Sequence, residues 1–378
     1  MDNHIKSLHV YRTYFPDPPG GLQEAVRQIA ISTSRMNVDS KIFTLSPNPH
    51  PGTLQRPEGE IIRAKSWAAP ASCDLGGYSA FARFAEACAE SDVLHYQFPW
   101  PFADVLHTVV RPTIPAIITY QSDVVRQRLL GKIYAPLMWK MLRSMRFVVA
   151  TSPAYAETSS VLSHPSIRGK VRVIPNGIDE ETYCKDSDDS VFSRIGLSIT
   201  EPYFLFIGVL RYYKGLHTLV QAASNTKARI VIAGSGPESR ALKELAEQCG
   251  ARNVIFAGQV SDGEKNALLK SCRGFVLPSH LRSEAFGMVL VEASIFRKPL
   301  ISCEIGTGTS YVNAHEESGL VIAPEAPEQL TQAMNQLLLD DAVADRLGMG
   351  ARARYERLFS GQALGQAYAS LYREALGT

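Results

Sequence analysis

Short apolar segments alternate with amphipathic ones along the first half of the chain. Segments 8–11 (LHVY) and 40–45 (SKIFTL) predict strands, and segment 22–36 between them has the spacing of a helix. The strand pattern recurs at 92–97, 114–121, 146–152 and 171–176. Strands that alternate with helices in this way predict an α/β fold, with a parallel sheet covered by helices on both faces.

A polar, acidic stretch at about residues 180–200 has the composition of a linker, and the same alternation restarts after it. Strands are predicted at 203–209, 228–236, 253–259, 274–279 and 299–304, with helices near 215–224, 237–249, 261–271 and 285–296. The rest of the chain is helical, with breaks near Asp340 and at Ser360–Gly361. We therefore expect two Rossmann-like domains, residues 1–185 and 186–358, and a C-terminal helix at 359–378 that packs back on the first domain.

Composition narrows the class of protein. A chain of 378 residues suits two domains of ~150–200 residues. Its formal net charge of +2 is not that of a nucleic-acid-binding protein. No apolar run approaches the ~20 residues that span a bilayer, and the N-terminus does not resemble a signal peptide. The six cysteines form no C-x-x-C pair, which favours a reduced, cytoplasmic protein over a disulfide framework or a zinc site.

The strongest local feature is RSEAFGMVLVEAS at 282–294, which separates Glu284 from Glu292 by seven residues. On one helix, both carboxylates would lie on roughly the same face, about two turns apart. Gly287 permits close backbone approach, and the helix N-terminus would attract an anion. These features suit a phosphorylated sugar. The alternative is an ordinary amphipathic helix with two exposed glutamates.

Three further segments place cations or glycines between a strand and a helix: FIGVLRYYKGL (206–216), IAGSGPE (232–238) and PPGGLQEAV (18–26). Arg211 and Lys214 would bind phosphate, unless they form a solvated basic turn. Gly236, Gly20 and Gly21 would let the backbone approach a ligand, although a partial G-x-G match is weak and a plain turn also fits. Together the segments predict a ligand in the cleft between the two domains.

With these motifs in view, the chain resembles the retaining glycosyltransferases of the GT-B fold, of the family 4 type. The motifs that carry the resemblance span nearly the whole chain: GG (20–21), VIPNGID (173–179), RYYKG (211–215), AGSGPE (233–238), AGQV (257–260), SEAFGMVLVEA (283–293) and GLVIAP (319–324). The resemblance implies two Rossmann-like domains with parallel sheets facing across a cleft. The first domain would bind the acceptor and the second the nucleotide-sugar donor.

A narrower resemblance links the chain to bacterial mannosyl- and related transferases of lipopolysaccharide O-antigen and exopolysaccharide assembly. It rests on HYQFPWPFAD (95–104), TYQSDVVRQ (119–127), ATSPAYAETS (150–159) and EIGTGTSYVN (304–313). It implies a GDP-mannose or GDP-rhamnose donor and a polyprenyl-diphosphate-linked saccharide acceptor. The acceptor, the linkage, the sugar and the oligomeric state do not follow from the sequence.

The resemblance also implies residue roles. Arg211 and Lys214 would hold the donor diphosphate, Glu284 the hydroxyls of the donor sugar and Glu292 the ribose. The remaining donor-binding positions would be Gly20, Gly21, Gly236, Gln259, Val260, Gly287, Met288 and Val289, with Gln259 and Val260 near the base. No cofactor and no metal are expected, since two cations and a helix N-terminus can stabilise the departing diphosphate.

The chain departs from the family pattern in the first domain and after the first strand of the second. Gln121 stands where relatives usually carry His in TYxSD, and Gln97 where His often recurs, with His95 retained. A glutamine cannot take a proton at neutral pH, so the enzyme would be impaired if this position must act as a base. The alternative is that Gln121 only orients the sugar; the resemblance then implies that the leaving phosphate accepts the proton. Val209 stands where many relatives carry Arg; Arg211 would project the same way if the strand persists.

Segment 126–146 combines six cations with interleaved apolar residues and no acid. This composition suits peripheral contact with the cytoplasmic face of an anionic inner membrane; a core-packed helix with an exposed basic face fits equally.

Two other functions remain open from sequence. A hydrolase or epimerase could use the same scaffold. A catalytically silent nucleotide-sugar-binding partner of a polysaccharide assembly complex would be consistent with Gln121.

Overall fold

The computed structural model describes residues 4–17, 20–70, 73–122, 128–183 and 186–378, without the side chains of 128–133. The chain divides into two compact units. The first comprises Met1–Asp179 together with Gly361–Thr378, and the second comprises Glu180–Ser360. The boundaries expected from sequence, after residues 185 and 358, differ from these by six and two residues.

The described strands of the first unit form one sheet in the order β3-β4-β2-β1-β6-β7-β8-β9, with β5 paired to β4. Their bounds are β1 Ile5–Val10, β2 Val38–Ser46, β3 Thr53–Arg56, β4 Gly59–Ala68, β5 Leu75–Gly76, β6 Val93–Phe98, β7 Ala116–Tyr120, β8 Phe147–Ala150 and β9 Val171–Val173. All neighbours pair in parallel except β3 and β5, which pair antiparallel with β4. Strands β2, β3 and β4 therefore lie on one side of β1 and strands β6 to β9 on the other, so the strand order reverses between β1 and β6.

Helices cover this sheet: α1 Gly21–Ser34, α2 Tyr78–Ala89, α3 Pro101–Val110, α4 Arg128–Ser144 and α5 Pro153–Thr158, joined by α14 Gly361–Leu376 from the end of the chain. Strand side chains alternate between two buried clusters. Leu94 and Ile118 belong to one cluster, whereas Ile117 shares the other with Tyr368 and Tyr372 of α14. The C-terminal helix is thus part of the core of the first unit.

The antiparallel hairpin β3–β4 escaped the sequence analysis. Its outer strand β3 alternates exposed and half-buried positions and contains no run of buried residues. Gly59 begins β4 with φ of +137°, and a Cβ there would lie 2.0 Å from the carbonyl oxygen of Ser40. Edge strands that bury little apolar surface give a weak sequence pattern.

In the second unit the described strands form a fully parallel sheet in the order β12-β11-β10-β13-β14-β15. The bounds are β10 Tyr203–Ile207, β11 Arg229–Ala233, β12 Val254–Gly258, β13 Gly274–Leu277, β14 Leu300–Cys303 and β15 Gly319–Ile322. This is the 3-2-1-4-5-6 order of doubly wound nucleotide-binding folds, with the reversal between β10 and β13.

The helices of the second unit are α6 Ser190–Ile195, α7 Leu216–Ala223, α8 Ser239–Gln248, α9 Asp262–Ser271, α10 Met288–Ile295, α11 Thr309–Val312, α12 Pro327–Leu339 and α13 Asp341–Arg354. Helix α6 corrects the linker expected at 180–200. Val191 and Phe192 of this helix are buried, and Phe192 packs edge-on against Tyr203 of β10. Two apolar residues thus attach a polar stretch to the second unit. None of the helices in the described ranges combines the length and the apolar composition that a bilayer-spanning segment needs.

The contact between α1 and α14 gives a test of the first unit. A Cβ on Gly365 would lie 2.2 Å from the carbonyl oxygen of Ser32. Alanine favours an isolated helix by ~1 kcal/mol over glycine, but overpacking costs ~1–3 kcal/mol. We therefore expect Gly365→Ala to lower the melting temperature. The control Gly169→Ala, whose Cβ would meet nothing within 4 Å, should leave it nearly unchanged; equal effects of the two would contradict this packing.

Candidate active site

The central contact of the second unit lies where its sheet order reverses. Lys214 follows β10 and Glu284 follows β13, and the Lys214 ammonium donates a hydrogen bond to Oε2 of Glu284. Ser279 Oγ donates to the same oxygen at 3.0 Å. Open parallel sheets bind ligands at the carboxyl ends of the strands beside such a reversal. The structure thus brings together two predicted site residues and adds Ser279, which the sequence analysis did not single out.

Backbone packing fixes the two loops that carry this pair. Gly215 has φ of +68°, and a Cβ there would lie 2.0 Å from the carbonyl oxygen of Pro278. The His280 N–H donates to the carbonyl oxygen of Tyr213 at 3.1 Å. Only glycine combines that conformation with that approach. The loop after β10 is therefore seated directly on the loop after β13.

The pair is shielded from solvent, with each side chain 11% exposed. Burial alone would lower the pKa of Lys214, but the Glu284 carboxylate outweighs burial, and the pKa of Lys214 is raised. The ammonium therefore stays protonated at neutral pH. Oε2 of Glu284 accepts from Lys214 and Ser279, while its Oε1 has no partner among the described residues. That oxygen is available to accept a hydrogen bond from a ligand.

Glu284 does not share a helix face with Glu292, so the expectation of one helix bearing both is wrong. Gly287 has φ of +83° and precedes α10, which begins at Met288. Glu284 lies in the preceding loop, where its carbonyl oxygen accepts from Thr307 Oγ1 at 2.8 Å. The first N–H groups of α10, including those of Met288 and Val289, have no acceptor within the helix. The positive end of α10 thus begins four residues after Glu284.

Glu292 belongs to a separate ion pair. Its Oε1 lies 3.5 Å from Nζ of Lys265 on α9. Lys265 Nζ also lies 4.9 Å from the centre of the Tyr183 ring. Burial would lower the pKa of Lys265, but Glu292 and Tyr183 raise it. Lys265 had no signal in the sequence beyond an ordinary charged helix.

Arg211 occupies a different backbone setting from the one expected. The strand β10 ends at Ile207, so the condition that it persists to residue 211 is not met. Arg211 starts a 3-10 turn that contains Lys214, and its side chain is exposed. Its positive charge opposes protonation of Lys214, which places it within electrostatic range. Arg211 and Lys214 therefore present one exposed and one buried cation near the same edge of the sheet.

The predicted glycines differ in whether the surrounding backbone leaves room for a side chain. Gly236 lies against the backbone after β10, since a Cβ there would be 2.5 Å from the carbonyl oxygen of Leu210. Gly20 precedes α1 in extended backbone, and a Cβ on Gly21 would meet nothing within 4 Å. The packing thus explains Gly236 without a ligand. At Gly20 and Gly21 ligand approach stays a prediction.

Gln259 and Val260 follow β12 after Gly258, whose φ of +69° ends the strand. Gln259 is exposed and Val260 half-buried. Because the sheet is parallel, they lie at the same carboxyl edge as Lys214, with β11 between their strand and β10. Their proposed role near a base stays a prediction.

Gln121 lies in the first unit, directly after β7, and is buried among neutral partners. Its side-chain amide pairs with those of Gln97 and Asn176. Asn176 belongs to the PNGID motif, the sequence signal that could have identified it. The site in this unit is therefore an amide cluster without a side chain that titrates near neutral pH.

One group of potential metal ligands occurs in the described part of the chain, formed by His217, His280 and Glu325. Their ligand atoms lie within 4.8 Å of one another, and Nε2 of His217 lies 3.8 Å from Oε1 of Glu325. The chain also contains one Asp-x-Asp spacing, Asp186–Asp188, in which Asp188 accepts from the Ser190 N–H at 3.0 Å ahead of α6. The expectation that no metal takes part stays a prediction.

The basic segment 126–146 lies mostly within α4. Residues 126 and 127 and the side chains of 128–133 lie outside what is described. Met138, Met141, Leu142 and Met145 are buried in the core of the first unit. The described apolar face is therefore already covered, which favours the core-packed helix. Exposed cations remain on the other face: Lys140, Arg143 and Arg146.

Comparison with known proteins gives two matching family models. Residues 188–354 match the family described as glycosyl transferases group 1, and residues 19–182 match glycosyltransferase family 4. The chain is 38% identical over 372 residues to O-antigen chain mannosyltransferase C of Escherichia coli, covering 98% of this chain and 99% of that one. It is 42% identical over 356 residues to D-rhamnosyltransferase WbpZ of Pseudomonas aeruginosa, covering 94% and 92%.

Solved structures with the same fold include sucrose-phosphate synthase from Thermosynechococcus elongatus, with a TM-score of 0.79, 22% identity and 99% of each chain covered. Anabaena HepE in complex with UDP gives a TM-score of 0.78 at 18% identity, covering 98% of this chain and 100% of that one. These likenesses establish a two-domain α/β fold with parallel sheets, of the GT-B type.

The Lys214–Glu284 contact predicts strong thermodynamic coupling. Removing one partner of a buried ion pair leaves the other charge uncompensated and costs about 3 kcal/mol. We expect Lys214→Met and Glu284→Gln each to lower the free energy of unfolding by about that much, and the double variant to lose clearly less than the sum. Chemical denaturation measures all three.

The exposed pair Arg240–Glu244, with side chains 91% and 53% exposed, provides the matched control. The cycle of Arg240→Met and Glu244→Gln should show coupling of at most ~0.5 kcal/mol. Additive losses at Lys214 and Glu284 would contradict the contact.

Proposed function

Because this chain belongs to the glycosyltransferases of group 1 and family 4, we propose that it transfers mannose or D-rhamnose from a GDP-sugar to a lipid-linked saccharide. The transfer would retain the anomeric configuration and serve O-antigen or exopolysaccharide assembly at the cytoplasmic face of the inner membrane. The names of the two relatives, a mannosyltransferase and a D-rhamnosyltransferase, support the sugar. The sugars of those two names differ by one hydroxyl group.

The observation that carries the proposal is the contact of Lys214 with Glu284 at the reversal of the sheet order. Glu284 offers Oε1 to sugar hydroxyls, while Lys214 and Ser279 hold its Oε2. The Glu284 carboxylate would thereby bind the sugar, and the neighbouring Lys214 ammonium would bind the phosphate. A nucleotide-sugar is the ligand class that requires both functions side by side.

Stabilisation of the leaving group follows from the same residues. As the bond between C1 of the sugar and the diphosphate oxygen breaks, negative charge develops on the diphosphate. Lys214, Arg211 and the N-terminal end of α10 would stabilise that charge. We propose that no divalent metal takes part. Met288 and Val289 would donate their backbone N–H groups to the ligand.

The acceptor hydroxyl must lose a proton as its oxygen bonds to C1. Gln121 cannot take this proton, because a side-chain amide neither gains nor loses a proton near pH 7. We propose that the departing diphosphate oxygen receives it, so that one C–O bond forms, one breaks and the proton moves to the leaving group. This route requires acceptor and leaving group on the same face of the sugar, which yields retention.

A silent nucleotide-sugar-binding partner is the second candidate, and Gln121 is the observation that favours it. Turnover separates the two functions. We expect one of GDP-mannose or GDP-D-rhamnose, offered with a membrane lipid extract, to be consumed with transfer to lipid, and Glu284→Gln to reduce kcat at least ~100-fold through loss of charge on the sugar-binding carboxylate. Product anomers are read by NMR.

Glu247→Gln is the matched control, because Glu247 is exposed on α8 and lies outside the site. It should retain full activity. Donor binding without turnover by the intact chain would instead support the silent partner.

Membrane contact through α4 would rest mainly on its exposed cations, because Met138, Met141 and Leu142 are buried in the core and the partly buried Trp139 packs against it. Each basic residue near an anionic surface contributes ~1 kcal/mol. We expect Lys140→Glu/Arg143→Glu to weaken cosedimentation with phosphatidylglycerol vesicles at least ~10-fold, and salt to weaken the wild type likewise. Lys227→Glu/Arg252→Glu makes the same charge change in the second unit and should have little effect. Equal loss in both variants would contradict contact through α4.

A further inference from the structure

A continuous chain of buried polar side chains crosses the first unit from α14 to the carboxyl end of β7. Tyr372 OH bonds Nδ1 of His95 at 2.8 Å, and Gln97 Nε2 bonds Nε2 of His95 at 3.3 Å. Gln121 Nε2 donates to Oε1 of Gln97 at 3.1 Å. Asn176 closes the chain at the far end. We call this series of five side chains the amide relay: Tyr372, His95, Gln97, Gln121 and Asn176.

The amide of Gln97 determines which nitrogen of His95 carries the proton. Since the Gln97 Nε2 group donates, Nε2 of His95 must be an unprotonated acceptor. The proton therefore sits on Nδ1 and is donated to Tyr372 OH. Thr119 Oγ1 lies 2.7 Å from the same Nε2 and 2.9 Å from Tyr368 OH, so Thr119 accepts from Tyr368 and shares the single lone pair of Nε2 with Gln97. Burial, with His9 beside it, lowers the pKa of His95 well below its usual range, which keeps the ring neutral.

The hydrogen bonds to Gln97 and Asn176 fix the orientation of the Gln121 amide. Its Nε2 carries two hydrogens, one donated to Gln97 Oε1 and the other to Asn176 Oδ1 at 3.4 Å. Asn176 Nδ2 donates in return to Gln121 Oε1 at 3.1 Å. A carbonyl oxygen has two lone pairs, so one remains on Oε1. Among the described residues nothing else bonds to it, and rotating the amide would place two carbonyl oxygens face to face.

We propose that Gln97 and Asn176 are positioning residues that hold Gln121 as a fixed hydrogen-bond acceptor for a hydroxyl of a bound sugar. This inference rests on the proposed function and extends it to residues of the first unit. Gln121 follows β7, at the carboxyl end of the parallel strands where such sheets bind ligands. The relay also gives α14 a role in the site, because the hydroxyl of Tyr372 accepts the Nδ1 proton of His95.

A purely structural relay makes a different prediction. Satisfying buried polar groups stabilises a fold, and removing any one of them costs stability without regard to the substrate. An acceptor for a sugar hydroxyl instead makes the loss depend on that hydroxyl. Substrates that lack single hydroxyls therefore separate the two roles.

The test measures kcat and KM for GDP-mannose and its monodeoxy analogues, first with water as acceptor and then with methyl mannoside and its monodeoxy forms. In the wild type, one analogue should lose ~10-fold in kcat/KM, as expected for one hydrogen bond. With the parent sugar, Gln121→Leu and Asn176→Ala should each lower kcat/KM by ~10-fold, mainly through kcat. With the analogue that lacks the recognised hydroxyl, each variant should have the same kcat/KM as with the parent sugar. The arm in which the effect appears assigns the hydroxyl to donor or acceptor.

Asn253→Ala is the control, since Asn253 Nδ2 bonds three backbone carbonyls near the amino end of β12, remote from any ligand edge. In Asn253→Ala, kcat/KM should fall by the same factor as in the wild type for every deoxy analogue. If Gln121→Leu and Asn176→Ala also keep every penalty, the relay is structural only and the proposal fails. If the wild type turns over no GDP-sugar, the proposed function fails and the proposal falls with it.

Tyr372→Phe tests the remote end with a milder change. Losing the hydroxyl that accepts from His95 should lower kcat by ~3–10-fold with a donor KM within ~2-fold of the wild type. Tyr203→Phe, which removes the hydroxyl that donates to the Leu268 carbonyl at 2.7 Å in the second unit, should lower stability comparably and leave kcat unchanged. An unchanged kcat in Tyr372→Phe would overturn the directional role of α14.

Discussion

The contact between the Lys214 ammonium and the Glu284 carboxylate is the constraint to which the rest of the second unit conforms. Two charges can be buried only in mutual contact, so the loops after β10 and β13 must meet. Gly215 permits that meeting by packing on the Pro278 carbonyl, and Ser279 satisfies the carboxylate further. The reversal of strand order makes β10 and β13 neighbours and gives the pair its place. A charged, shielded site thus follows from sheet topology and one glycine.

The candidate sites of the two units differ in the charge of the side chains that form them. In the second, a buried lysine, an exposed Arg211 and a helix N-terminus lie near one edge of the sheet, an arrangement suited to the diphosphate that we propose it binds. In the first, the amide relay consists of neutral side chains, an arrangement suited to the selection among sugar hydroxyls that we propose. No side chain of the amide relay is suited to accept a proton from the acceptor, in keeping with a leaving group that accepts it.

Apolar patterning predicted the two parallel sheets because buried strands such as β10 and β11 are almost entirely apolar, while the half-polar edge strand β3 gave no such pattern. The pairing of Glu284 with Glu292 on one helix was wrong, because Gly287 adopts a left-handed conformation that motif spacing does not reveal. Lys214 and Glu284 were identified from sequence, but their contact depends on strand order. Ser279 and Lys265 acquire their roles only through tertiary neighbours. Asn176 belongs to the PNGID motif, but its contact with Gln121 also depends on the tertiary fold.

We propose that Glu284, held by Lys214, recognises the sugar rather than the nucleotide. Isothermal titration calorimetry of GDP-mannose and of GDP, against the intact chain and Glu284→Gln, measures this recognition. We expect the intact chain to bind GDP-mannose more tightly than GDP, and Glu284→Gln to lose this difference while its affinity for GDP stays within a few-fold. An undiminished preference for GDP-mannose in Glu284→Gln would show that this carboxylate does not recognise the sugar.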